Sequence, residues 1–182
     1  MGEARDELLD RVIAHITPAG FADLSLRDLA AAIGTSHRML NYHFGGRNGL
    51  VAAIVERVEA TQRAMLASLA ADGTNPAEVA RAHWAELTRP EVVASARLFY
   101  EVVAHVLCAP ADNARFLAGL TTPWIDTATA AASTLGIPMS AADARLAVAV
   151  IRGLLIDVLA SGDAGPATEA FERFLALSHP TR

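Results

Sequence analysis

Residues 25–50 read SLRDLAAAIGTSHRMLNYHFGGRNGL. Ser25, followed three residues on by Asp28, makes a capping-box pattern in which each side chain satisfies a free backbone N–H of a helix start. It predicts a short helix from Leu26 to Ile33. Gly34 stands where a helix stops in a left-handed residue, and Ser36 is the N-cap candidate for another short helix, His37 to about His43. Gly45 and Gly46 close that helix. Two short helices joined by a tight glycine turn form the helix-turn-helix arrangement, in which the second helix lies in the DNA major groove.

On this second helix the spacing points Ser36, His37, Arg38, Asn41 and Tyr42 outward, with Met39, Leu40 and Phe44 available to pack inward. Arginine can bridge guanine O6 and N7, asparagine can pair with adenine N6 and N7, and histidine, tyrosine and serine can contact base or phosphate. Arg47, opening the next helix, combines its charge with the free N–H groups of a helix N-terminus, a setting that grips phosphate. Ser25 and Arg27 are placed for the other flank. The net charge of −5 makes the whole chain a poor electrostatic match for nucleic acid, so any contact must be local. All 15 basic residues are arginine, and no acidic residue falls between Asp28 and Glu56, a window holding His37, Arg38, His43 and Arg47. The same spacing also suits a three-helix unit with an ordinary solvated face, since glycine-linked helix pairs recur in proteins that never touch nucleic acid.

Outside this stretch, Leu8, Leu9, Val12, Ile13 and Ile16 mark an amphipathic helix from Asp6 to about Ile16, ended near Pro18 and Gly20. Phe21 and Leu24 offer apolar anchors in the linker that follows. A long apolar-periodic run from Arg47 passes Leu50, Val51, Ile54, Val58, Met65 and Leu69 and stops at Asp72-Gly73. Asn75, Pro76 and Glu78 then supply a cap, a proline at the first helical position and an acidic residue in the first turn. Breaks at Arg89-Pro90, Ala109-Pro110, Gly136-Ile137-Pro138 and Ser161-Gly162-Asp163 divide the remainder into about five helices, and Pro123 is positioned to kink or split one. No strand-like alternation or solenoid repeat occurs. The expected fold is all-α with about nine helices: a three-helix domain over residues 1–45 and a larger helical domain over 46–182.

Residues 5 to about 57 resemble the DNA-binding domain of the TetR family of bacterial transcriptional regulators. The glycine and serine of the turn, the leucine, histidine and phenylalanine near the end of the third helix, and the basic residue before Leu50 carry the resemblance. It implies that Ser25, Ser36, His37, Arg38, Asn41, His43 and Arg47 contact DNA. It departs at Asn41, where the family usually has a phosphate-binding tyrosine, so that Tyr42 substitutes or Asn41 reads a base. It departs also at Arg47, where lysine is commoner; the charge is kept, although the two side chains hold phosphate differently. The resemblance further implies a C-terminal helical domain that binds a small molecule and dimerises, and repression as the usual mode of action.

The segment from Ser140 to Leu159 opens with a Ser140/Asp143 capping box and is apolar on nearly every side, the pattern of a helix buried on more than one face. One face is expected to meet a partner subunit through Ile151, Gly153, Leu154, Leu155 and Val158, with Phe171, Phe174 and Leu175 of the last helix as a second stripe. Such a homodimer would set two recognition helices about 34 Å apart, matching successive major grooves of a palindromic site. Candidate pocket residues lie between Pro76 and Leu135: Trp84, Leu87, Phe99, Tyr100, Val103, Leu107, Cys108, Phe116, Leu120 and Trp124, a set suited to a largely apolar organic molecule. Arg97, Glu101 and His105, at steps of four, share one helix face as an ion-pair row or as ligand anchors.

No glycine-rich phosphate loop after a strand, HExxH or nucleophile elbow is present, so no enzyme is expected. A helical-bundle metal- or ligand-binding protein without DNA-binding activity is the rival reading, with Glu101, His105 and His83 as ligands. The paired Glu-x-x-His spacing of di-metal bundles is missing, and neither a metal nor a cofactor is expected. Cys108 is the single cysteine, which excludes an internal disulfide. No run approaches the roughly 18 to 20 apolar residues that span a bilayer, and a cytoplasmic location with no membrane partner is expected.

Overall fold

The computed structural model describes residues 2–19, 25–108 and 114–178, and all regular structure among them is helical. Ten helices follow in order: α1 (Gly2–Ala19), α2 (Leu26–Ala32), α3 (His37–Phe44), α4 (Arg47–Asp72), α5 (Pro76–Leu87), α6 (Pro90–Leu107), α7 (Ala114–Gly119), α8 (Thr122–Thr134), α9 (Ala141–Ser161) and α10 (Gly165–Ser178). This is close to the nine or so expected. Phe21, Leu24 and the Ala109-Pro110 break lie outside the described residues. Pro123 opens the first turn of α8, where its missing N–H is not needed, and so separates α7 from α8 rather than kinking one helix. α1 ends at Ala19, between Pro18 and Gly20 as the sequence predicts, and Pro18 falls in its last turn, where one backbone bond is forgone.

The chain divides into two compact units, Met1–Ala60 with Ala94–Cys108, and Thr61–Val93 with Ala109–Arg182. In the first unit the apolar rows read from the sequence turn inward: Leu9, Val12, Leu29, Leu40, Leu50 and Ile54 are the most completely buried side chains. Arg57 of α4 clamps α1 by pairing with Asp6 at 2.9 Å and with Asp10. Arg11 of α1 donates to the Ile33 carbonyl at 3.2 Å, satisfying one of the free carbonyls at the end of α2. Gly34 takes φ +68°, and the N–H groups of Gly34 and Thr35 return to the carbonyls of Ala31 (3.3 Å) and Ala30 (2.8 Å). This is a Schellman stop, and it sets the tight turn between α2 and α3.

In the second unit α9 packs against α8 and α10. Trp84 of α5 stacks on Phe171 of α10 with ring centroids 5.0 Å apart, and its indole N–H donates to Thr168 at 3.0 Å. The Arg81 guanidinium meets the Glu172 carboxylate through contacts of 2.8 to 3.0 Å on the surface of the same helix pair. Arg152 of α9 donates to the Leu120 carbonyl at 2.6 Å and to the Thr121 hydroxyl at 3.3 Å, holding the junction of α7 and α8. Ser140 and Asp143 form the complete reciprocal capping box at the start of α9.

Candidate nucleic-acid interface and buried cavity

The start of α3 is set by Ser36, whose hydroxyl oxygen accepts the Met39 N–H at 3.2 Å. From that start the helical repeat puts Leu40 and Phe44 on the inner line, at 0% and 6% exposure, and turns His37, Arg38 and Tyr42 to solvent. Met39, expected to pack inward, is 42% exposed. One step from Leu40 is about 100° of rotation, which carries Met39 off the line shared by positions 40 and 44. Among the described residues no carboxylate pairs with Arg38 or Arg27. The Asn41 amide donates to the His37 ring at 3.1 Å, one turn apart, tying two candidate contacts to each other. His43 is half-buried, its ring 5.0 Å from that of Tyr42 in an edge-on contact.

Ser25 does accept the Asp28 N–H, at 3.1 Å, but its own hydroxyl also donates to the Asp28 carboxylate at 2.6 Å. The box read from the sequence is therefore closed side chain to side chain. Arg47 is exposed at the first residue of α4. The turn before it is tight: a Cβ built on Gly49 would lie 1.8 Å from the Phe44 carbonyl oxygen, so only glycine fits where the end of α3 meets the start of α4. The polar set from Ser36 to His43 thus lies on one helix, Arg47 opens the next, and Ser25 and Arg27 sit at the start of α2.

The candidate pocket residues divide between the two units. Phe99, Tyr100, Val103, Leu107 and Cys108 belong to the first unit, where Phe99 packs edge-on to Tyr100 and Leu107 is 59% exposed. Trp84, Leu87, Phe116, Leu120 and Trp124 belong to the second. That unit holds a cleft-like cavity of about 140 Å³, and of the candidates only Trp124 lines it. Ile151, Phe171 and Leu175, expected at a subunit interface, also form its walls. Leu155 and Val158 are buried in the same chain, Ile151, Leu154 and Phe174 are half-buried, and Gly153 is exposed. Leu146, Ala149, Gly153 and Ile156 form an exposed apolar row on α9.

His83 was singled out only as a metal ligand, yet it is the polar side chain of the cavity wall. It is 3% exposed, and neither ring nitrogen has a hydrogen-bond partner among the described residues. Burial pushes its pKa down to about 4, against a weaker upward pull from the Glu86 carboxylate. Its ring stands 6.0 Å from that of Trp124. The signal was present in the sequence: His83 lies on the row Val79, His83, Leu87, all buried. Among the described residues no three His, Cys, Asp or Glu side chains cluster as metal ligands would. Arg97 and Glu101 are exposed, and the His105 side chain lies outside the described residues.

Residues 13–54 match the family model of the bacterial regulatory proteins of the tetR family. No curated protein sequence matches the chain. Its fold is that of solved TetR-family regulators. A TetR-family transcriptional regulator from Rhodococcus sp. is 26% identical, with a TM-score of 0.70 over 97% of this chain and 98% of that one. Another from Pectobacterium atrosepticum is 20% identical, with a TM-score of 0.72 over 96% and 91%. The multidrug binding protein EbrR, solved with ethidium, is 24% identical, with a TM-score of 0.66 over 94% and 98%. No helix among the described residues is long and apolar enough to cross a membrane.

Proposed function

From a tetR-family match over residues 13–54 and the fold of TetR-family regulators, we propose that this chain is a ligand-responsive transcriptional regulator. It represses by occupying a palindromic operator as a homodimer and leaves when a small, largely apolar molecule binds. Residues 1–45 are the DNA-binding domain, residues 46–182 carry ligand binding and dimerisation, and the protein works in the cytoplasm without catalytic chemistry. The observation that carries this reading is α3 itself, with His37, Arg38 and Tyr42 exposed on a helix in a stretch free of acidic residues. Phosphate contacts from Arg47 and Arg27 position the helix, and Arg38 and Asn41 read base edges.

The exposed apolar row of α9 supports the second copy as partner: Leu146 and Ile156 are 57% and 52% exposed, with Ala149 and Gly153 between them. Large apolar side chains aligned along one helix are the usual mark of an interface. The cavity in the second unit supports ligand binding, as does the likeness in fold to a multidrug binding protein. A ligand acts by binding one arrangement of the recognition helices better than another, since only differential affinity shifts an equilibrium.

The test is binding of the full chain to DNA from upstream of its own gene, against random duplex at physiological salt. A clear preference for the upstream fragment is expected. Equal binding to both sinks the adjacent operator.

A further inference from the structure

We infer that the cavity of the second unit takes a neutral molecule of a single aromatic ring bearing one hydroxyl group, a phenol-class ligand, held by His83. The inference rests on the reading of this unit as ligand-binding. Size comes first: at about 140 Å³ the cavity is comparable to the apolar cavity of roughly 150 Å³ that accepts benzene in another protein, and well below the roughly 300 Å³ at which drug-sized pockets begin. A single ring matches that volume.

The walls decide the rest. None of the lining residues carries a fixed charge, so burying an ionised group against them is unfavourable. Trp124 and Phe171 supply aromatic surface suited to a ring. Against these stands His83, buried with both ring nitrogens unpartnered among the described residues. A buried imidazole is held neutral and presents one N–H donor and one acceptor nitrogen. A ring that turns its edge to the cavity lets a hydroxyl group donate to the one or accept from the other, and a bare hydrocarbon leaves both unanswered.

Calorimetric titration of the full chain near pH 7.5 with phenol, benzene and benzoate tests this. Phenol is expected to bind once per chain, benzene at least about tenfold more weakly, because a site with a buried polar group rejects the analogue that cannot pair with it. Benzoate is expected not to bind. His83→Leu should bring phenol down to the level of benzene and leave benzene within about twofold, and Ala128→Phe, which fills the cavity, should abolish both. Equal affinity for phenol and benzene, preference for benzoate, no binding of phenol, or an unchanged phenol affinity in His83→Leu would each overturn the inference. Should His83→Leu fail to fold, the three titrations of the wild-type chain still decide. DNA binding by the same preparation is read separately: operator binding without phenol binding removes this inference alone, and phenol binding without operator binding removes the regulator reading alone.

Discussion

Arg38 is exposed on α3, the helix assigned to the groove, whereas Arg47 opens α4 beside it, so the two arginines are expected to fail differently when removed. Arg38→Ala should weaken operator binding by about 1–3 kcal/mol and relax preference at one base pair. Arg47→Ala should weaken binding to all sequences alike and lower the slope of log affinity against log salt by about one, as for a lost phosphate contact. Fluorescence anisotropy over a salt series separates the two, and an unchanged slope in Arg47→Ala would remove its phosphate role. Gly49 makes the opposite kind of contribution, through what it lacks. A methyl group there meets the Phe44 carbonyl oxygen at 1.8 Å, and relieving that contact requires α3 and α4 to part. Gly49→Ala should cost about 3 kcal/mol or more, a fall in Tm of roughly 6 to 12 °C for a chain of this size.

At the scale of elements, helix ends were legible because capping is local chemistry. Ser36, Asn75 and Ser140 cap α3, α5 and α9 as their spacing predicts, and Gly34 stops α2. Ser140→Ala should therefore cost about 1 kcal/mol, measurable by denaturant unfolding. Helix faces were less legible where a helix is apolar all round. The large apolar side chains of α9 read alike in sequence, but only packing sorts Leu155 and Val158 into the chain's own core and leaves Leu146 and Ile156 outside. Because Ile156 is half exposed in the single chain, Ile156→Asp should leave the fold within about 0.5 kcal/mol of the parent. Light scattering after size exclusion should then show a monomer where the parent is a dimer; an unchanged dimer would place the interface elsewhere.

At the scale of the whole molecule, His83 couples the fold to pH. Its folded pKa is near 4 and its ordinary value 6.5, so between those limits the unfolded chain binds the proton and the folded chain does not. The sign follows: the stability held through His83 is complete above pH 6.5 and is lost as pH falls towards 4, to an extent of about 3 kcal/mol, at 1.36 kcal/mol per pKa unit. Glu86, whose charge favours the protonated ring, limits the loss. Denaturant unfolding at pH 7 and pH 4.5 should show this fall in the parent and a smaller one in His83→Leu. A parent and variant with the same pH dependence would remove His83 as its source.

The order of the helices, their caps and the polar face of α3 were legible in the sequence. Each of these depends on residues within one or two turns of each other, and periodicity and capping chemistry act over that distance. Packing was needed to show that Phe99 and Trp124 belong to different units and that His83 lies with Trp124 and Phe171 around a cavity. Those facts depend on residues far apart in the chain meeting in space. A row such as Val79, His83, Leu87 shows which side chains share a face, but the groups that close over it come from α8, α9 and α10, and their packing alone leaves a buried histidine without a partner among the described residues.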